Sequence, residues 1–188
     1  MEILVFGRRA ALSAAEYVGS VKPGNEAALA AQADASQARI DELFARTAGT
    51  ESIAGLRKEM MDTMEEGAGI YRTQEGMEKT STKLADLRRR YKGIKLHDKS
   101  KVYNTDLLTA LELGNMLDCA EAVAVSGRER HESRGAHQRL DFTARDDVKY
   151  LKHSMAYYNG QEPPRIDYRD VVITTSPPGV RDYSGAKK

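Results

Sequence analysis

The sequence predicts a mainly α fold: an antiparallel helical bundle of about four to five helices with a short C-terminal β-like extension. Apolar residues recur at helical spacing through most of the first two thirds of the chain. Alanine and leucine supply much of the apolar content, and both favour helices. Tyrosine and β-branched residues form short runs only near the C-terminus. We therefore expect three parts, namely a terminal helix over 1–20, a bundle over 21–153 and a β-like extension with its tail over 154–188.

Composition excludes several classes of protein. The formal net charge of the 188 residues is +1, which argues against an electrostatic nucleic-acid footprint. No apolar run approaches the length of a membrane span, so we expect no segment that crosses a bilayer. The N-terminus has no basic region of the kind that opens a signal peptide. The single cysteine, Cys119, cannot form an internal disulfide, which fits a reducing compartment.

The first helix is expected over residues 2–18. Small residues keep its surface thin, so that another backbone could approach closely. Met1 begins directly on the apolar run without a residue that could cap the helix. We therefore expect this sequence to be part of a longer chain; the alternative is a small helical protein with a frayed N-terminus. The positions that share one face are Ile3, Phe6, Ala10, Ala14 and Val18.

The bundle helices are predicted by apolar spacing and by capping residues. After the break at 23–25, we expect helices over 26–46 and 51–66. Thr73 is expected to cap a helix that ends near Tyr91, where the basic run 88–90 is either a solvated helix end or a docking patch for an acidic partner. In the helix over 51–66 the positions expected to be buried are Ile53, Leu56, Met60, Met61 and Met64.

The longest helix, over about 105–128 and capped by Asn104, is the expected core helix. Cys119 lies beside its apolar stripe, and we expect a buried structural thiol there. Beyond it, residues 146–153 could form one or two helical turns, 155–158 and 165–174 are β-like, and the tail from Pro177 is expected to be disordered at its end. The stripe of the core helix comprises Leu107, Leu108, Leu111, Met116, Leu117, Ala120, Val123 and Ala124.

One segment, 130–141, is not explained by periodicity. Its sequence is RHESRGAHQRLD, which is too polar for a core helix or a buried strand. Gly135 suggests a backbone position that a side chain would obstruct. The segment is either a solvated loop or a polar latch buried against something else. A buried latch would need its charges paired, because an unpaired buried charge is costly.

No catalytic, cofactor-binding or metal-binding residue is predicted within this chain. The sequence has no glycine-rich phosphate loop, and its single cysteine excludes a cysteine-ligated iron–sulfur cluster. The spacing of His131, Glu132 and His137 matches no usual metal site. A nucleophile built from Ser133 and His137 has no supporting motif.

The polar segment also carries a resemblance to a family. The run ESRGAH at 132–137, followed by Arg139, Asp141 and the acidic pair at 146–147, resembles the C-terminal signature of the succinate dehydrogenase/fumarate reductase flavoprotein subunit. Residues 69–73 resemble a step in the helical domain of that family. Residues 2–8 resemble the helix that follows its flavin-contacting segment. The resemblance covers nearly the whole chain, but only the last third of a family member.

The resemblance implies that this chain is the C-terminal helical domain of a subunit that interconverts succinate and fumarate. Residues 1–20 would be the terminal helix of a flavin domain that is absent here. FAD would belong to the intact subunit, and this chain alone would bind none and be inactive. The implied partners are the FAD-binding domain, an iron–sulfur subunit and, indirectly, membrane-anchor subunits. The implied location is peripheral, on the cytoplasmic side of the inner membrane, or cytoplasmic if the chain exists alone.

For the polar segment, the resemblance implies a latch at the domain interface. Arg134 and His137 would support the wall of the active site without touching substrate; the alternative is a purely structural lock. L-aspartate oxidase, which shares a related signature, and a stand-alone helical interaction module remain alternative readings. The latch residues are Glu132, Ser133, Arg134, Gly135, His137, Arg139 and Asp141.

Overall fold

The structure is a computed structural model that describes residues 1–22, 24–160 and 162–179. Five helices and four short strands are present in this part of the chain, which confirms the predicted mainly α fold with a C-terminal β extension. The chain divides into two compact units, residues 1–46 and 47–188. Within the described ranges no helix is both long and apolar enough to cross a membrane.

The first unit consists of two helices, α1 (Glu2–Ser20) and α2 (Glu26–Ala45). Asn25 begins α2, because its side chain accepts a hydrogen bond from the amide of Ala28 at 3.2 Å. Helix α1 has no side-chain cap and no buried residue. Its apolar side chains are solvent-exposed, and Ile3 and Val18 are 87% and 71% exposed.

The second unit contains helices α3 (Ile53–Ala68), α4 (Gln74–Tyr91) and α5 (Thr105–Glu129), which pack on one another. The predicted caps of α4 and α5 are confirmed. The hydroxyl of Thr73 accepts from the amide of Gly76 at 3.1 Å, and the Asn104 side chain accepts from the amide of Leu107 at 2.8 Å. Fully buried core residues from the three helices and the loop after α4 include Leu56, Met77, Leu84, Leu87, Ile94, Leu113 and Leu117.

Several positions predicted to be buried are exposed. Met61, Leu108 and Val123 are exposed, and the thiol of Cys119 is exposed as well. The reason is the side of the helix that its neighbours cover: on α5 the covered stripe includes Leu113 and Gly114 but not Leu108 or Val123. On α5 the covered positions are Ala110, Leu113, Gly114, Leu117, Ala120, Glu121, Ala124, Val125 and Gly127.

Gly67 lies where α3 packs tightly against α4. A Cβ atom built on Gly67 would lie 2.7 Å from the carbonyl oxygen of Gly76 and 2.0 Å from the hydroxyl of Thr80. Helix α3 continues through Gly67 to Ala68, so this glycine permits close packing without interrupting the helix.

The C-terminal extension is an antiparallel hairpin of β3 (Lys152–Tyr157) and β4 (Arg165–Asp170). The amide of Tyr150 donates to the carbonyl oxygen of Asp146 at 3.0 Å, which forms a single turn. Strand β3 begins at Lys152, so the chain forms one of the one or two turns expected over 146–153. Strand β4 ends at Asp170, four residues before the predicted end at Thr174. The predicted disorder at the C-terminus falls on residues 180–188, which lie outside the described residues.

Candidate functional site

Two short strands attach the polar segment, residues 130–141, to the helical unit. Strand β1 (Tyr71–Arg72) pairs in parallel with β2 (Gln138–Arg139). The amide of Leu140 also donates to the carbonyl oxygen of Arg72 at 2.8 Å. We call residues 130–141 the latch, because this pairing fixes them beside the N-terminal end of α4.

Gly135 forms the turn of the latch. The backbone groups of Arg134 and His137 exchange two hydrogen bonds, of 2.9 and 3.0 Å, around Gly135 and Ala136. Gly135 has φ of +58°, which only glycine adopts without strain. No atom would obstruct a Cβ at this position, so the glycine is required by backbone conformation and not, as the sequence suggested, by lack of space.

Glu132 is the buried anion of the latch. Its side chain is 0% exposed and accepts from Arg130 Nε at 2.9 Å, from Arg134 Nε at 2.8 Å and from the amide of Asp146 at 2.8 Å. Burial raises the pKa of Glu132, but the hydrogen bonds from Arg134, Asp146 and Arg130 lower it more, so the net pKa lies below its ordinary value. The carboxylate therefore stays ionised and holds both arginines.

Arg139 is the buried cation of the latch, with a side chain that is 0% exposed. Its Nη1 donates to carbonyl oxygens of Gly127 and Arg130 at the C-terminal end of α5, at 3.3 and 3.2 Å. Its Nε and Nη2 donate to the two carboxylate oxygens of Asp141, at 2.8 and 2.9 Å. Arg139 thus adds a cationic donor to carbonyls at the C-terminal end of α5, the end of a helix that favours a cation.

Asp141 completes the link at the N-terminal end of α4. Its Oδ2 accepts from the amide of Gln74, the first residue of α4, at 2.6 Å. The Gln74 side chain in turn accepts from Arg139 Nη2 at 3.0 Å. The guanidinium of Arg139 and the amide of Gln74 keep the pKa of Asp141 well below its usual range despite partial burial. One ion pair therefore joins the C-terminus of α5 to the N-terminus of α4, with each charge at the helix end that favours it.

The hydroxyl of Ser133 is used within the latch. It accepts from the amide of Arg139 at 2.8 Å and lies 2.8 Å from the carbonyl oxygen of Phe142, to which it can donate. Ser133 therefore has a structural partner on each side.

His137 is held by two fixed partners. Its Nδ1 lies 2.9 Å from Arg72 Nη1, and its Nε2 lies 3.1 Å from the carbonyl oxygen of Arg130. A guanidinium only donates and a carbonyl only accepts, so these partners assign the neutral tautomer with the proton on Nε2. Burial lowers the pKa of His137, and the nearby guanidinium groups of Arg72, Arg139 and Arg130 lower it further, while the carbonyl of Arg130 raises it.

Arg134 lies at the rim of the latch, where it pairs with Glu132 and, at 2.5 Å, with Asp147. Asp147 also accepts from Arg145 at 2.7 Å. Arg134, Gly135 and Asp147 line an open cleft of about 970 Å³. Arg134 is thus anchored on one side and partly exposed on the other.

The remaining histidine of the latch, His131, stacks on the ring of Phe142 with centroids 4.8 Å apart. Among the described residues, no group of three or more His, Cys, Asp or Glu side chains is placed to hold a metal ion. The arrangement accordingly offers directional hydrogen bonds between helix ends.

The basic run at the end of α4 faces largely inward. Arg88 pairs with Asp118 and with the buried Glu121, at 2.7 and 2.5 Å. Arg90 pairs with Glu51 and Glu59, at 2.9 and 2.8 Å. These contacts explain Arg88 and Arg90 as internal ion pairs, whereas Arg89, which pairs with Asp86 at 2.5 Å, has a side chain that is 79% exposed.

Sequence reasoning missed the two residues that connect the latch to the helical unit. Arg72 contacts His137 and Gln74 contacts Arg139 and Asp141, and each of these pairs is separated by more than 60 residues in sequence. No spacing pattern reports such a contact. The only available signal is the proximity of Arg72 and Gln74 to the N-cap Thr73, which places them at a helix end.

Comparisons with known proteins place these residues in a family context. The family described as "Fumarate reductase flavoprotein C-term" matches residues 57–183. The chain is 50% identical to a fumarate reductase flavoprotein subunit of Serratia sp. (strain ATCC 39006), over 98% of this chain and 31% of the relative. It is 37% identical to a succinate dehydrogenase flavoprotein subunit of Rickettsia bellii (strain RML369-C), over 100% of this chain and 31% of the relative.

The fold is also found in a solved relative. A quinol fumarate reductase chain from E. coli superposes with a TM-score of 0.89 at 48% sequence identity, covering 95% of this chain and 31% of that chain. The chain described here therefore spans about a third of the length of the relatives that it matches.

Proposed function

Because the chain belongs to the fumarate reductase and succinate dehydrogenase flavoprotein family, we propose that it acts as the C-terminal part of a subunit that interconverts fumarate and succinate. The observation that supports this most strongly is the family match over residues 57–183, which includes the whole latch. Relatives that are 50% and 49% identical to this chain are named fumarate reductase flavoprotein subunits, so reduction of fumarate is the first direction to test.

We place the flavin of the intact protein outside these 188 residues. The sequence has no glycine-rich phosphate loop, and the charged and polar side chains of the latch are bonded to one another. These residues do not fit a flavin site. FAD, which supplies the hydride chemistry in a flavoprotein, would be held by the other two thirds of the subunit.

We further propose that the intact subunit works within a complex. Similar solved structures are titled as quinol fumarate reductase and as a succinate dehydrogenase complex. By analogy, the partners of the intact subunit would be an iron–sulfur subunit and, through it, membrane-anchor subunits. The location would be peripheral, on the cytoplasmic side of the inner membrane.

The latch is proposed to face the flavin domain of the intact subunit. Its inner side joins α4 to α5 through Arg139 and Asp141, while Arg134 and Gly135 border an open cleft. This arrangement supports a role for Arg134 and His137 in positioning the active-site wall. Neither side chain needs to touch substrate for that role.

Residues 1–20 are proposed to pack on the same flavin domain. Helix α1 buries none of its residues within this chain, although it carries Ile3, Leu4, Phe6 and Val18. Exposed apolar side chains at this density are typical of a surface that another part of a protein covers.

The test is to isolate the native polypeptide that carries residues 130–141 and to measure its mass, its visible spectrum and its activity. We expect a chain about three times as long as this one, flavin absorbance, and fumarate reduction with a reduced dye. L-aspartate serves as the matched control substrate, because an aspartate oxidase would oxidise it. A native chain near 20.8 kDa without flavin would refute the assignment.

A further inference from the structure

Arg72 differs from the arginines around it in having no carboxylate partner. Arg130 and Arg134 pair with Glu132, and Arg139 pairs with Asp141. Among the described residues, no Asp or Glu lies within ion-pair distance of Arg72, although its side chain is partly buried. Burial and the nearby charge of Arg139 lower the pKa of Arg72, which reflects an uncompensated cation.

Two neutral groups hold Arg72 in place. Its Nε donates to the carbonyl oxygen of Gly69 at 2.9 Å, and its Nη1 donates to Nδ1 of His137 at 2.9 Å. A guanidinium has five N–H donors, so three remain without a partner among the described residues. The His137 contact fixes the plane of the guanidinium, so that the remaining donors have a defined direction.

The remaining side of Arg72 borders a groove of about 410 Å³ between α5 and β3. The groove has apolar walls, to which Val123 and Ala156 contribute, and Arg130 and Ser154 add polar atoms. No carboxylate lines it. Among the described residues, the carbonyl groups of Gly127 and Arg130 at the end of α5 accept from Arg139 and not from Arg72. A partly buried cation of this kind is costly unless an anion pairs with it.

We propose that Arg72 binds a carboxylate side chain that comes from outside these 188 residues. The partner would be an aspartate or glutamate of the N-terminal part of the same subunit, which approaches along the groove. Charge complementarity supports an acidic partner, and the relatives carry about two thirds of their length beyond the part that this chain matches. This inference rests on the proposed function, since it requires the longer subunit.

A zero-length cross-link tests the proposal on the native, full-length protein. Arg72→Lys keeps the positive charge and supplies an amine that a carbodiimide couples to a touching carboxylate. Arg57→Lys, at an exposed arginine of α3, is the matched control. We expect mass spectrometry to find a cross-linked peptide between position 72 and an acid outside residues 1–188, and none from position 57.

The partner acid identified in this way allows a charge swap. We expect Arg72→Glu to reduce the fraction of protein that retains flavin by about tenfold, and the reverse exchange at the partner acid to restore it. Failure to restore it would overturn the pairing. A cross-link to an acid within residues 1–188, or no cross-link, would overturn the proposal.

Two further measurements identify the source of the carboxylate and test the proposed function independently of the cross-link. If added succinate becomes coupled to the Arg72→Lys amine instead, the site takes a small dicarboxylate and the polypeptide partner is refuted. Flavin content and fumarate reduction of the unmodified protein test the proposed function separately. Loss of that function would therefore be distinguishable from loss of the cross-link. A cross-link from position 72 to another polypeptide that co-purifies would refute a partner in the same subunit.

Discussion

Replacing the buried anion of the latch gives the sharpest test of its structure. In Glu132→Gln, one carboxylate oxygen becomes an amide nitrogen that donates and cannot accept. One oxygen receives the two Nε groups of Arg130 and Arg134; the other receives Arg134 Nη2 and the amide of Asp146. Either orientation of the amide therefore leaves two donors without an acceptor and removes the charge that holds two guanidinium groups.

The expected cost of Glu132→Gln is about 3 kcal/mol in the free energy of unfolding. Breaking a buried ion pair costs roughly 3–5 kcal/mol, and the lower end applies because water can reach Arg130 and Arg134. Their side chains are 14% and 25% exposed. For a domain of this size the same cost lowers the Tm by about 6–12 °C.

Urea unfolding followed by circular dichroism measures the effect of Glu132→Gln, with Glu65→Gln at an exposed position of α3 as the control. The folded pKa of Glu132 is lowered, so its contribution to stability is full above the unfolded value of about 4.5 and is lost as the pH falls through the folded value. The difference between the variant and the unmodified chain must shrink in acid. A difference within about 0.5 kcal/mol of the control at neutral pH would refute the role of Glu132.

Three further results are expected. Gly67→Ala should destabilise the second unit by about 2 kcal/mol, because the new methyl group meets backbone of α4, whereas Gly55→Ala should have a smaller effect in the same thermal scan. The carboxyl of Glu59, whose pKa hydrogen bonds from Arg90 and Lys83 lower to about 2, should titrate near that value by NMR and shift upward in Arg90→Gln. His137 should show the ring nitrogen shifts of the Nε2–H tautomer, and because its folded pKa is lowered, its contribution to stability should be present above pH 6.5 and fall as the pH drops toward the folded value.

The elements that the sequence predicted correctly are those with local causes. Thr73 and Asn104 begin α4 and α5 because a side-chain oxygen reaches an amide three residues later, and this spacing is visible in the sequence. The hairpin of β3 and β4 follows similarly from short β-like runs on either side of a turn.

What the sequence could not predict depends on contacts between distant residues. Apolar spacing shows which face of a helix can be buried, but the neighbouring helices decide how much of that face is covered, and so Met61 and Leu108 were wrongly predicted to be buried. The pairing of β1 with β2 involves two residues from each strand, which is too short for any periodic signal. The density of charge in the latch indicated that its charges must be paired. It did not indicate that Arg139 would donate to the carbonyl oxygens at the C-terminal end of α5.

The polar character of the latch follows from the position that it holds. Apolar packing would bring α4 and α5 together, but it would supply no cationic donor to the last carbonyls of α5 and no carboxylate acceptor to the first amide of α4. Arg139 and Asp141 satisfy both sets of groups and bond to each other, so the position of one helix end fixes the other. In the part of the chain that the structure describes, Arg72 is the one arginine in contact with the latch that has no acid as a partner, and it lies at a groove that opens outward. An internal joint needs no such partly buried cation without an acid, and for this reason we propose that the chain meets the rest of the subunit at Arg72.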